Sequence, residues 1–83
     1  MTLDEIKPGE KCRLLTVGGE GVLRRRLLDM GFTPRTLVTV RKVAPMGDPI
    51  EVGLRGYIIT IRKEEAAKLT VEKVSNIWVF YSV

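Results

Sequence analysis

Two periods of apolar and polar positions divide the chain. Across residues 21–34 the apolar side chains Leu23, Leu27 and Met30 fall at i, i+4 and i+7, with Leu28 beside them, while Arg25 points the opposite way. That spacing predicts an amphipathic helix lying on a core. Its end is specified several times over: Gly31 stands at the left-handed C′ position, Phe32 at C″ faces Leu27 at C3, and Pro34 forbids continuation. Its start is weaker, because Gly18-Gly19-Glu20-Gly21 offers no strong side-chain cap and leaves backbone N–H groups to find partners elsewhere.

The rest of the chain alternates with period two and predicts strands. Residues 11–17 form a first strand with one irregularity, the adjacent Leu14 and Leu15, and residues 36–43 form a second, rich in β-branched side chains. Residues 50–55 and 57–62 alternate on either side of Gly56 and predict a hairpin; residues 70–74 supply a closing strand. Between them, residues 2–9 read as a short helical turn capped by Thr2 and Glu5, which plugs one end of the domain. Residues 44–49, with two prolines and a glycine, are a loop with Met46 at its exposed tip, and residues 63–69 are a short helical connector packing Ala66 and Leu69. The expected architecture is mostly β: five to six strands in a small barrel, a helix inserted after the first strand, and a short helical turn before the last.

Composition narrows the function classes. The 83 residues make one small domain, and 45% hydrophobic with 29% charged residues is ordinary for a folded chain. Residues 1–74 are read as the barrel. Residues 75–83 are read as an apolar tail holding three of the five aromatics, expected to form an extra strand or a homodimer contact. Fourteen basic against ten acidic residues is a mild excess, and the aromatics lie in the tail away from the arginines, so nucleic-acid binding is not expected. With no secretory signal pattern and no apolar run approaching ~20 residues, the expectation is a cytoplasmic chain that does not insert in a membrane.

Candidate chemistry is sparse. One cysteine and no histidine exclude the usual zinc arrangements and every His-dependent nucleophile, so the chain reads as non-enzymatic. The glycine loop before the helix lacks a Gly-Lys-Ser/Thr ending, and Glu20 would repel phosphate. Metal binding rests on Cys12, Asp29, Asp48 and Glu51. These have no recognisable ligand spacing, so any site for Fe(II) or another divalent transition metal is expected to be weak. Arg24, Arg25 and Arg26 fan over the polar side of the helix, and Asp29 sits in its last turn, where the macrodipole disfavours a carboxylate. Either Asp29 pairs with Arg25 or Arg26 on a solvated face, or the arginines form a docking surface for an acidic partner.

The runs at residues 3–10, 21–34, 44–50 and 54–57 together resemble the FeoA family of ferrous-iron transport proteins, with order and spacing that fit from Thr2 to about Glu72. The Leu-x-Met-Gly-Phe-x-Pro core at residues 28–34 is the specific part; Arg35 stands where the family usually has glycine, a departure that bears on the conformation of that turn. The resemblance implies an SH3-like barrel and a non-catalytic accessory protein. Its implied partner is the cytoplasmic G-domain region of an inner-membrane ferrous-iron transporter, whose transport or GTP hydrolysis it modulates. That would hold the chain at the inner membrane through its partner. It also implies a contact surface of Leu23, Arg24, Arg25, Arg26, Met30, Phe32 and Pro34, with Met46 of the 44–49 loop beside them. Similarity of such domains to the C-terminal domain of iron-dependent repressors makes a metal-responsive regulatory domain the alternative.

Overall fold

The computed structural model describes residues 1–74; the expected tail strand or homodimer contact of residues 75–83 lies outside the described residues. Five strands, β1 (Lys11–Val17), β2 (Leu37–Val43), β3 (Ile50–Leu54), β4 (Tyr57–Ile61) and β5 (Leu69–Lys73), form one antiparallel sheet in the order β4-β3-β2-β1-β5. Helix α1 (Gly21–Asp29) is inserted between β1 and β2, and a single helical turn, α2 (Lys63–Ala66), precedes β5. The sheet curls around one core of Cys12, Leu14, Val38, Val40, Val52, Leu54, Ile61, Leu69 and Val71, closed by Leu27 and Phe32 from the helix segment.

Local chemistry explains most element boundaries. In the N-terminal 3-10 turn, Leu3–Glu5, the Glu5 carboxylate accepts the Thr2 N–H at 2.7 Å. This closes the turn and holds the Glu5 carboxyl below the usual carboxylate range. Leu3 and Ile6 are buried beneath it, and the turn packs on α2 and β5, so it plugs the barrel end. The Leu14-Leu15 irregularity becomes a register shift between β1 and β5. Leu14 stays in the core, Leu15 and Thr16 turn outward, and Val17 returns inward.

Helix α1 stops as its sequence dictates. Gly31 adopts φ +107°, its N–H donates to the Leu28 carbonyl at 3.0 Å, and the Phe32 N–H donates to the Leu27 carbonyl at 3.1 Å. This is the paired bonding of a Schellman end, and it drops Phe32 and Leu27 into the core with no exposed area. Of the expected stripe only Leu27 is fully buried; Leu23, Leu28 and Met30 pack partly against the core. At the other end, Glu20 makes no side-chain cap, and the Gly18 N–H donates to the Lys68 carbonyl at 2.6 Å. A Cβ at position 18 would lie 2.8 Å from that oxygen, so the approach of β1 to the α2–β5 corner requires glycine.

Three boundaries differ from expectation. The 63–69 connector is helical only over Lys63–Ala66, and Leu69 is the first residue of β5, because pairing with Val17 outcompetes a marginal two-turn helix. Strand β2 begins at Leu37, since Thr36 closes a turn by donating its N–H to the Thr33 carbonyl at 3.1 Å. The hairpin turn is the pair Arg55-Gly56, both at positive φ (50° and 82°), as a two-residue turn between twisted strands requires.

Candidate functional site

The three arginines of α1 have different fates. Arg24 donates from Nε to the Val17 carbonyl at 3.3 Å, bracing the helix against the end of β1. Arg26 reaches across to α2, where its Nη1 lies 2.8 Å from Glu65 Oε2. Glu65 is 3% exposed, and its other oxygen accepts the Arg62 N–H at 2.9 Å. Oε2 is buried and accepts no directed hydrogen bond among the described residues, so Arg26 stands there as a nearby charge. Arg25 has no ion pair within 4.0 Å among the described residues, and neither has Asp29. An arginine placed before a carboxylate at i, i+4 is the less favourable order on a helix. Neither expected Asp29 pair forms, and Arg26 turns to Glu65 instead.

The free face of α1 therefore consists of Arg25 with Val22, which is 84% exposed, and the outer part of Arg24. Leu23 and Met30 are half-buried supports, and Phe32 leaves the surface entirely. Phe32 is a correction to the contact set implied by the resemblance: the Schellman end that makes it conspicuous in sequence also drives it inward. Pro34 is exposed at the helix exit. Met46 is 90% exposed at its loop tip, but α2 stands between that loop and α1. Asp48 accepts the Lys63 N–H at 3.0 Å and faces Arg62 at 3.9 Å, while Arg26 meets α2 from the other side.

The four candidate metal ligands are dispersed. Cys12 lies in the core with Sγ 3.6 Å from the Val38 carbonyl, and burial pushes its thiol up to about 11. Glu51 pairs with Arg41 at 3.1 Å, and Asp48 is held at α2. Among the described residues, no three Cys, Asp or Glu side chains gather as a ligand set.

A second convergence was not expected. The Arg55 guanidinium donates from Nη2 to Thr33 Oγ1 at 2.6 Å and to Thr36 Oγ1 at 3.0 Å, clamping the β3–β4 turn to the helix exit. A Cβ on Gly31 would meet Leu54 Cδ1 at 3.3 Å, so the same junction is close-packed. Arg35 takes φ +76°, the conformation glycine would favour, and its N–H donates to the Leu14 carbonyl at 2.7 Å. The departure at residue 35 thus keeps the turn and adds a charge. The only sequence signals were the glycine after Arg55 and the position of Glu65 three residues beyond Arg62; neither names its distant partner.

Known proteins share this fold. The FeoA domain family matches residues 1–73. A curated relative, the Fe(2+) transport protein A/Fe(2+) transporter FeoB fusion protein of Porphyromonas gingivalis, is 38% identical over 76 residues, 92% of this chain and 9% of the relative. The chain thus spans about a tenth of the length of that relative. The solution structure of FeoA from Chlorobium tepidum superposes with a TM-score of 0.83 at 39% identity, covering 90% of this chain and 71% of that one. FeoA of Stenotrophomonas maltophilia, solved in complex with zinc and described as a prokaryotic SH3 domain protein, gives a TM-score of 0.78 at 25% identity over 87% of this chain and 89% of that one. With a Schellman-terminated helix inserted after the first strand of an SH3-like sheet, and a family match across nearly all the described residues, this chain belongs to the FeoA domain family.

Proposed function

We propose that the chain is a non-catalytic accessory module of ferrous-iron uptake that docks on the cytoplasmic part of the membrane transporter through the free face of α1. The observation that carries the reading is the fusion relative, in which a 38% identical segment shares one polypeptide with a ferrous-iron transporter. Fusion holds two parts at high effective concentration, and a domain that acts on its neighbour needs a contact surface. Val22, Arg24 and Arg25 supply one. Val22 is exposed without a packing reason, and Arg25 presents a guanidinium fork with no carboxylate among the described residues. No helix of the described residues is long and apolar enough to cross a membrane, so contact through a membrane partner suits the chain.

The test is titration of the chain onto the reconstituted full-length transporter, reading retention and GTP hydrolysis. Wild type is expected to be retained and to change the hydrolysis rate, and Val22→Ala with Arg25→Ala is expected to weaken retention about tenfold, worth ~1.4 kcal/mol, with an unchanged thermal midpoint. Failure of the wild type to bind would end the reading. Full retention of the double variant would move the contact to Met46.

A further inference from the structure

Strands β2, β3 and β4 carry a second surface that neither the core nor the free face of α1 uses. Thr39, Gly53 and Ile58 are neighbours across the three strands, and the middle one has no side chain. A furrow of about 420 Å³ follows, bordered by Leu37, Thr39, Arg41, Tyr57 and Ile58. Past Leu37 and Arg55 it meets a second depression of about 440 Å³ walled by Pro34, Arg35 and Thr36. Leu37, Tyr57 and Ile58 are 53%, 68% and 58% exposed, a concentration of large apolar side chains that a folded surface seldom leaves open without use.

The charges along this groove have one sign. Its charged lining residues are Arg35, Arg41 and Arg55, with no carboxylate among them. Arg41 is partly neutralised by Glu51 at 3.1 Å. Arg35 and Arg55 have no ion pair among the described residues, and the two threonine hydroxyls that hold Arg55 fix its position without cancelling its charge. Both arginines occupy left-handed backbone, φ 76° and 50°, where glycine is the unstrained residue. Backbone preference alone favours glycine at both sites; the side chains present are cations that line one groove, Arg55 also bonded to Thr33 and Thr36.

The geometry points to a docking groove for an extended acidic peptide segment that alternates carboxylates with aliphatic side chains. Successive residues of an extended chain face opposite ways, so aliphatic side chains enter the furrow over Gly53 between Leu37 and Ile58. Carboxylates near its end meet the guanidinium forks of Arg35 and Arg55. Nucleic acid fits less well, because the walls are branched aliphatics and Tyr57 is the one aromatic in the groove able to stack on a base. The groove does not include Val22, Arg24 or Arg25, so it stands apart from the docking face of α1.

The test titrates the isotope-labelled full chain with a short capped peptide alternating Glu with Leu and Ile, following amide shifts by NMR. Three controls accompany it: the same peptide with Lys for Glu, a single-stranded oligonucleotide, and vesicles of anionic phospholipid. Shifts confined to residues 34–41 and 53–58, absent with the Lys peptide, are expected. Arg35→Gly with Arg55→Gly should weaken binding about tenfold. Because Arg55→Gly also removes the bonds to Thr33 and Thr36, the fold is checked by amide shifts outside residues 34–41 and 53–58 staying as in wild type. Arg35→Gly alone, which breaks no side-chain bond among the described residues, should show part of the loss. Gly53→Val should do the same by filling the furrow, since a Cβ there meets only Arg41 Cδ at 3.6 Å and the Tyr57 carbonyl oxygen at 3.7 Å. Arg25→Ala should bind as wild type. The idea is overturned if the Lys peptide binds as well, if shifts fall outside the groove, if both groove variants bind normally, or if only the oligonucleotide or the vesicles bind.

Discussion

The two ends of α1 have opposite designs. At the C-terminal end the carbonyls of Leu28 and Leu27 are taken: Gly31 and Phe32 return hydrogen bonds to them, and Phe32 fills the core. At the N-terminal end the cap residue Glu20 gives no side-chain bond, and Val22 and Arg25 face solvent without intramolecular partners among the described residues. The locked end anchors the helix on the sheet, and the open end leaves side chains free. A small domain with one core can spare a recognition surface only where its own stability does not depend on it.

The largest expected effect breaks the locked end. Leu27→Ala removes a fully buried side chain that both the helix and its exit turn pack upon, and should cost about 2–5 kcal/mol, read as a lower urea midpoint with an unchanged slope. A cost under about 1 kcal/mol would show that the core closes over the gap and that the anchor lies elsewhere.

Next comes the middle of the helix. Arg26→Ala strips the cation from a Glu65 carboxylate that is 3% exposed and should cost about 1–3 kcal/mol, although Arg26 itself is more than half exposed. Adding Glu65→Gln removes the buried charge and keeps an acceptor for the Arg62 N–H at 2.9 Å, so the double variant should be more stable than Arg26→Ala alone. Additive losses would mean that the pair is not coupled.

At the open end, Arg25→Ala should shift stability by no more than about 0.5 kcal/mol, in thermal or chemical unfolding. A larger loss would assign Arg25 a structural role and weaken the docking face.

The smallest effect concerns acid. A hydrogen bond from Lys73 and another from the Lys7 backbone hold the Glu10 carboxyl below its ordinary range, and the Thr2 backbone does the same for Glu5. A carboxyl lowered in the folded state contributes stability that is fully present above the ordinary carboxylate range and is lost as pH falls through the lowered value. Glu10→Gln should therefore cost a little near neutrality and nothing near pH ~2, measured as unfolding midpoints across that span. An equal difference at both pH values would exclude the ion pair as the cause.

The elements that local chemistry controls were legible in the chain itself. Gly31-Phe32-x-Pro34 specifies a helix end through contacts among a few neighbouring residues, and the alternation of residues 50–61 specifies a hairpin through the period of the strand. At Leu69 a short helical pattern and a strand pattern overlap, and pairing with Val17, far away in sequence, decides between them.

The sites depended on register. Which arginine of α1 stays free is settled by whether α2 brings Glu65 within reach of Arg26, and no spacing between residues 26 and 65 encodes that distance. Likewise Gly53 opens a furrow only because strand pairing sets it between Thr39 and Ile58, and Arg55 reaches Thr33 and Thr36 only because the hairpin folds back on the helix exit. By itself the sequence determined the strands, the inserted helix and its stop, since these follow from hydrogen bonding and burial over a few residues. The tertiary structure alone decided which charges are spent within the fold and which remain for a partner, because those pairings join segments that only the closed sheet brings together.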